Sequence, residues 1–210
     1  MAQFCILWAV RRITKSMKSN LSQCQVNMLA NVVSKDNTLR FFADGQAVLN
    51  LDVLTKKSWQ NGQGETQSKD DYFSVRLLGE VAQSLLAPVA AGDSVYLQGS
   101  LNKVIDAKQM TLVKKPNKLY WNRAYHQGEV TAIKTLTSVN NSAYLQLAVG
   151  TDSDALQVNL RGKTASIMQN QLQLGQHIIV EGALASRSVK TNNGYDRQVW
   201  LDGHTAVTTS

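Results

Sequence analysis

Cations and flat aromatic rings crowd one part of this sequence. Lys56, Lys57, Trp59 and Lys69 flank a polar loop, and Tyr72 and Arg76 follow on one side of a strand-like run. That combination suits a polyanion that also carries flat groups: ammonium and guanidinium ions meet phosphates, and ring faces take unstacked bases. Arg40 and Lys103 are candidates to line the same groove. Later in the chain Arg161, Lys163, Arg187, Lys190, Tyr195 and Arg197 offer further cations and a ring. The bland alternatives are a tryptophan at a core edge and charges that are simply solvated. Catalysis finds no comparable support. His126, His177 and His204 have no nucleophile or carboxylate motif around them, no phosphate-cradling loop occurs, and no acid pair has metal spacing. Cys5 and Cys24 form no C-x-x-C pair, so a zinc site is not expected. The residues imply no enzyme, no metal and no cofactor.

The charge is uneven along the chain. The formal total over 210 residues is +7. Residues 1–24 contribute +4 and contain no acid, residues 25–123 contribute +3, and residues 124–210 sum to zero. A basic first half favours polyanionic partners. Residues 1–24 are read as a basic N-terminal segment, poorly ordered or targeting, because such acid-free, Arg/Lys-bearing stretches resemble organellar transit peptides. A cytoplasmic location is expected, with the mitochondrial matrix as the alternative if that segment is a transit peptide. No apolar run approaches the roughly 20 residues that a bilayer-spanning helix needs, so no membrane partner is expected.

The elements that must position these side chains occur twice. Gly79, Gly92 and Gly99 are spaced by thirteen and seven residues, and so are Gly162, Gly175 and Gly182. Ala47–Thr55 likewise aligns with Ala143–Thr151. The glycine blocks are offset by 83 residues and the second pair by 96, so the second copy lacks about a dozen residues of loop between the two blocks. Leu49, Leu51 and Val53 alternate with polar residues, as do Leu145, Leu147 and Val149. Phe73, Val75 and Leu77, then Leu156, Val158 and Leu160, form two more such faces. Alternation of period two marks strands with one buried face. Val81, Leu85 and Val89 fit one face of a helix, as do Ile167, Met168 and Leu172, with Gly92 and Gly175 as helix-ending glycines. Each copy therefore reads as three strands, a short helix and two strands. That is the order of an OB-fold, a five-stranded Greek-key barrel. The fold class is all-β with short helices, and the domains are residues 25–113 and 124–210, joined by a basic linker over 114–123 that contains Pro116.

The first copy resembles the bacterial single-stranded DNA-binding protein family. The resemblance rests on Asp36–Phe41 with Asp44–Val48, on Ser58-Trp59, on Asp71–Gly79 and on Gly92–Leu101. In the second copy Gln176–Leu184 runs into Arg187 and then Gly194-Tyr195-Asp196-Arg197, similar to the family's last hairpin with its Gly-x-Asp-Arg turn. Of four stacking positions typical of the family, Trp59 and Tyr72 are aromatic in the first copy, while Leu78 and a residue near Asp106 stand at the others. In the second copy the Trp59 loop is absent, and Ala155, Arg161 and Val189 occupy the remaining three. The resemblance implies sequence-tolerant binding of single-stranded DNA in replication, recombination or repair. It also implies a homodimer that brings four barrels together. The single-strand contacts it points to are Trp59, Tyr72, Arg76, Lys56, Lys57, Lys69, Arg40 and Lys103 in the first copy, and Arg161, Arg187, Lys190 and Arg197 in the second. Trp121 and Trp200 are read as packing residues. No acidic, partner-recruiting C-terminal tip of the family's kind is expected. The competing readings are a primosome-like interaction adaptor with weak nucleic-acid binding, and an RNA binder.

Overall fold

The computed structural model describes residues 23–85, 89–113, 118–137, 143–151, 154–192 and 194–209. The first copy contributes β1 (Gln23–Val32), β2 (Arg40–Phe41), β3 (Ala47–Gln60), β4 (Thr66–Leu78), α1 (Gly79–Gln83), β5 (Ser94–Leu101) and β6 (Ile105–Val113). The second contributes β7 (Trp121–Thr137), β8 (Ala143–Val149), β9 (Leu156–Arg161), α2 (Gly162–Gln171), β10 (His177–Thr191) and β11 (Gly194–Thr209).

Each copy closes on itself. β1 pairs with β3, β3 with β4, β4 with β6, β6 with β5, and β5 returns to β1. In the second copy β7, β8, β9, β11 and β10 form the same ring. In both rings one pairing is parallel, β4 with β6 and β9 with β11, and the others are antiparallel. Two five-stranded OB barrels therefore stand in tandem. The alternating residues fill their centres: Leu51, Val53, Phe73, Val75 and Leu77 in one, and Leu145, Leu147, Val149, Val158 and Leu160 in the other, are all buried. Each such side chain contributes about 1.5–3 kcal/mol by leaving water.

The repeated glycines have a geometric reason. Gly99 and Gly182 each sit at a β-bulge, where a Cβ would lie 2.2 Å from the Asp106 carbonyl oxygen and 2.1 Å from the Asp202 carbonyl oxygen respectively. Gly92 and Gly175, both at positive φ, donate their N–H to Val32 and Val130 on the first strand of their own barrel.

Several expectations need correction. Gly92 and Gly175 lie in turns before β5 and β10, not at helix ends, since α1 stops at Gln83 and α2 at Gln171. Of the expected helical faces, Met168 and Leu172 are buried, but Ile167 is exposed and Ala165 takes the inward place. β1 already includes Gln23 and Cys24, and β7 already includes Trp121–Arg123, so strand extends into both the N-terminal segment and the linker drawn from sequence. Residues 1–22 and 114–117 of those segments lie outside the described residues. Among the described residues no helix is long and apolar enough to cross a membrane.

The barrels share a seam rather than hanging from a linker. β1 and β7 run antiparallel from Gln23 opposite Gln127 to Leu29 opposite Trp121, which makes one continuous eleven-stranded sheet. Tyr96 stacks on Trp121 across this seam, with ring centres 6.1 Å apart and planes within 7°. Trp121 is thus a packing residue at the seam, half-exposed.

Candidate nucleic-acid interface

The two barrels differ in which hairpin is long. β3 and β4 pair from Val48 opposite Leu78 out to Gln60 opposite Thr66, but β6 closes on β4 only at Val75–Leu77. The outer half of this hairpin therefore projects beyond the barrel wall. Its counterpart, β8 with β9, ends at Val149 opposite Leu156. The other hairpin reverses this difference. β5 and β6 turn at once after Leu101 opposite Ile105, whereas β10 and β11 continue past Leu184 opposite Leu201 to Thr191 opposite Gly194.

The two long hairpins pack against each other. Ser186 on β10 is buried; its N–H donates to Asp71 at 2.8 Å and its hydroxyl accepts the Tyr72 N–H at 2.8 Å. Lys69 donates to Asp71 at 2.7 Å and to the Ser186 carbonyl at 3.1 Å, with its ammonium 5.1 Å from the Trp200 ring centre. Further along, Arg197 on β11 donates to Asp52 at 2.8 Å and to Ser74 at 3.1 Å, and its guanidinium lies 6.0 Å from the Tyr72 ring centre. Asn122 anchors the base of the second hairpin by exchanging hydrogen bonds with Leu184 at 2.8 and 3.0 Å.

Beside this contact lies an open cavity of about 360 Å³. Asp52, Ser74, Leu101, Lys103 and Ile105 line it from the first barrel, and Ser188, Tyr195, Asp196 and Arg197 line it from the second. The short β5–β6 turn leaves this space, and the tip of the β10–β11 hairpin occupies its rim. Tyr195 is 76% exposed there.

The candidate residues spread over several environments. Tyr72, 40% exposed, faces outward as strand parity requires, and Trp59, 45% exposed, stands next to the hairpin turn. Asn61 organises that turn by accepting the N–H groups of Gln63 and Glu65. Lys56 pairs with Asp70 at 3.4 Å, and Lys57 is exposed directly across the ladder from Lys69. Arg76 pairs with Asp106 at 2.7 Å. That hydrogen bond raises the arginine further above its ordinary value. Partial burial alone would raise the Asp106 carboxyl, but hydrogen bonds from Arg76 and Asn102 outweigh it and hold the group below the usual range. Arg40 is exposed on β2 and pairs with Asp36. Arg187 holds Gln198 at 2.7 Å, and Lys190 is exposed opposite Tyr195. Arg161 lies apart, 5.1 Å from the Tyr144 ring centre at the start of α2.

Two placements depart from the sequence reading. Arg197, assigned to the second barrel's own face, lies on the first barrel, because β11 carries it across to Asp52. Gly194, Asp196 and Arg197 are strand residues of β11 and not a turn. Asp52, Asp71, Ser74 and Ser186 were not singled out. Asp71 did carry a signal: it shares the inward parity of Phe73 and Val75, and an acid at a buried position needs partners. Among the described residues no cluster of three or more His, Cys, Asp or Glu side chains is arranged to hold a metal ion.

Comparison with solved structures finds two of the single-stranded DNA binding protein from Thermus aquaticus. A deletion mutant matches with a TM-score of 0.76 and 16% identity over 90% of this chain and 96% of that chain. The wild type matches with a TM-score of 0.73 and 15% identity over 90% of this chain and 94% of that chain. At such identity the likeness speaks for the fold, and it spans both barrels. Residues 25–116 match the single-strand binding protein family by sequence. The chain is thus a tandem OB-fold protein whose first barrel carries the sequence match to the single-strand binding protein family.

Proposed function

We propose that the protein binds single-stranded DNA without strong sequence preference and protects it in replication, recombination or repair. The observation that carries this reading is the projecting β3–β4 hairpin, with Trp59 and Tyr72 exposed on it beside Lys56, Lys57 and Lys69. Stacking on each ring is worth about 1–3 kcal/mol per base. Lys57 is exposed on the same hairpin and is free to meet a phosphate, while Lys69 opposite it is already held by Asp71. The family match over the first barrel supports the same reading. A pair of chains would bring together four barrels, and light-scattering mass tests that.

A second reading draws on the ion pairs. Arg76, Lys56, Lys69 and Arg40 each pair with a carboxylate, which fits an adaptor with weak nucleic-acid binding. Titration with oligo-dT across a salt series separates the two. Steep loss of affinity with salt and quenching of tryptophan fluorescence support the first. Micromolar, salt-insensitive binding supports the second. Competition by oligo-U reports whether RNA is the better ligand.

A further inference from the structure

We infer that a single strand follows one path built from both barrels, in which Tyr195 and Arg197 of the β10–β11 hairpin complete the groove that Tyr72 and Lys103 begin. This rests on the nucleic-acid reading above and adds to it where the site lies.

Hairpin lengths are the first argument. The first barrel has a long β3–β4 hairpin and a minimal β5–β6 turn; the second has the reverse. Neither barrel alone has two long walls. The hairpins that each copy retains are the pair that touch, through Ser186 with Asp71 and Arg197 with Asp52. Together they frame one groove.

Chemistry is the second argument. A hairpin that served only as a strut would bury its tip in the neighbouring barrel. This one instead buries its base at Ser186 and leaves Tyr195 76% exposed at the rim of the open cavity. The cavity receives Lys103 from one barrel and Arg197 from the other, and Arg197 lies 6.0 Å from the Tyr72 ring. Two exposed rings and two cations along one groove suit bases and the phosphates that join them. Asp52 and Asp196 also line the cavity. Asp52 is already bonded to Arg197, so a phosphate competes with it for a guanidinium that is held in place.

The test uses the full chain and oligo-dT of about ten nucleotides, within the length one OB barrel occupies. Tyr195→Ala is expected to weaken binding at least about fivefold, with thermal unfolding unchanged because the ring is exposed. Arg197→Ala is expected to lower the slope of log affinity against log salt by about 0.7, and Arg197→Lys to retain it. If Arg197→Ala fails to fold, Tyr195→Ala decides alone. Wild-type affinity in Tyr195→Ala and a wild-type salt slope in Arg197→Ala, while Tyr72→Ala still weakens binding, overturn the shared path and leave single-strand binding standing. Failure of the unmodified protein to bind oligo-dT overturns both.

Discussion

Asp71 on β4 accepts the backbone N–H of Ser186 on β10 at 2.8 Å, across 115 residues of sequence. Both residues are buried, and the same carboxylate takes the Lys69 ammonium. This bond fastens the projecting hairpins of the two barrels to each other. Asp71→Ala leaves the buried Ser186 N–H without its acceptor and removes the counter-ion of Lys69, which costs about 1–3 kcal/mol. Urea unfolding of the variant against wild type measures the loss; an unchanged midpoint would show that the contact is dispensable.

The stacking rings are the most direct functional prediction. Trp59→Ala with Tyr72→Ala is expected to weaken oligo-dT binding by about 2–6 kcal/mol if each ring carries one base. Both side chains are 40% or more exposed, so circular dichroism should report an intact fold. A folded double variant that binds like wild type would remove both residues from the site.

The two bulge glycines make a matched structural pair. An alanine at Gly99 or Gly182 would set its Cβ within 2.2 Å of a backbone carbonyl oxygen on the neighbouring strand. Backbone cannot yield as a flexible side chain can, so each substitution is expected to cost at least about 1–3 kcal/mol by forced displacement. Thermal melts of Gly99→Ala and Gly182→Ala, with Gly64→Ala as a control whose Cβ meets open space, test the comparison. The control keeps only the cost of its positive φ.

His126 gives a pH dependence. It is 3% exposed on β7, its Nε2–H donates to the Val149 carbonyl at 2.9 Å, and its Nδ1 is buried with no partner. Burial pushes its pKa below the usual 6.5. Below 6.5 the unfolded chain takes up a proton that the folded chain refuses, so stability falls as the pH drops below that value. Replacing His126 with Gln should flatten the fall between pH 6.5 and 5, as read from unfolding midpoints.

Cys24 is 2% exposed, and burial pushes its thiol up to about 12. The thiolate is the reactive form, so native protein should leave Cys24 unalkylated at pH 8 while denatured protein is labelled. Peptide mapping distinguishes it from Cys5.

Local pattern carried much of this fold. Alternation at Leu49–Val53, Phe73–Leu77, Leu145–Val149 and Leu156–Leu160 is a property of neighbouring residues, and all four runs became barrel strands. The glycine repeat was equally legible, because a bulge and a positive-φ turn each demand glycine at a fixed place. Helix extent was less legible: Val81, Leu85 and Val89 have helical spacing, yet α1 is five residues long. Parity also placed Tyr72 outward correctly.

The sequence by itself determined two copies of one barrel and the outward Tyr72 ring of the first, since both follow from residues a few positions apart. Only the tertiary structure decided that Arg197 meets Asp52, that Lys69 serves Ser186, and that the two unequal hairpins meet at one groove. These contacts join residues more than a hundred positions apart. Their geometry depends on how β7 docks along β1, and no local spacing encodes that docking.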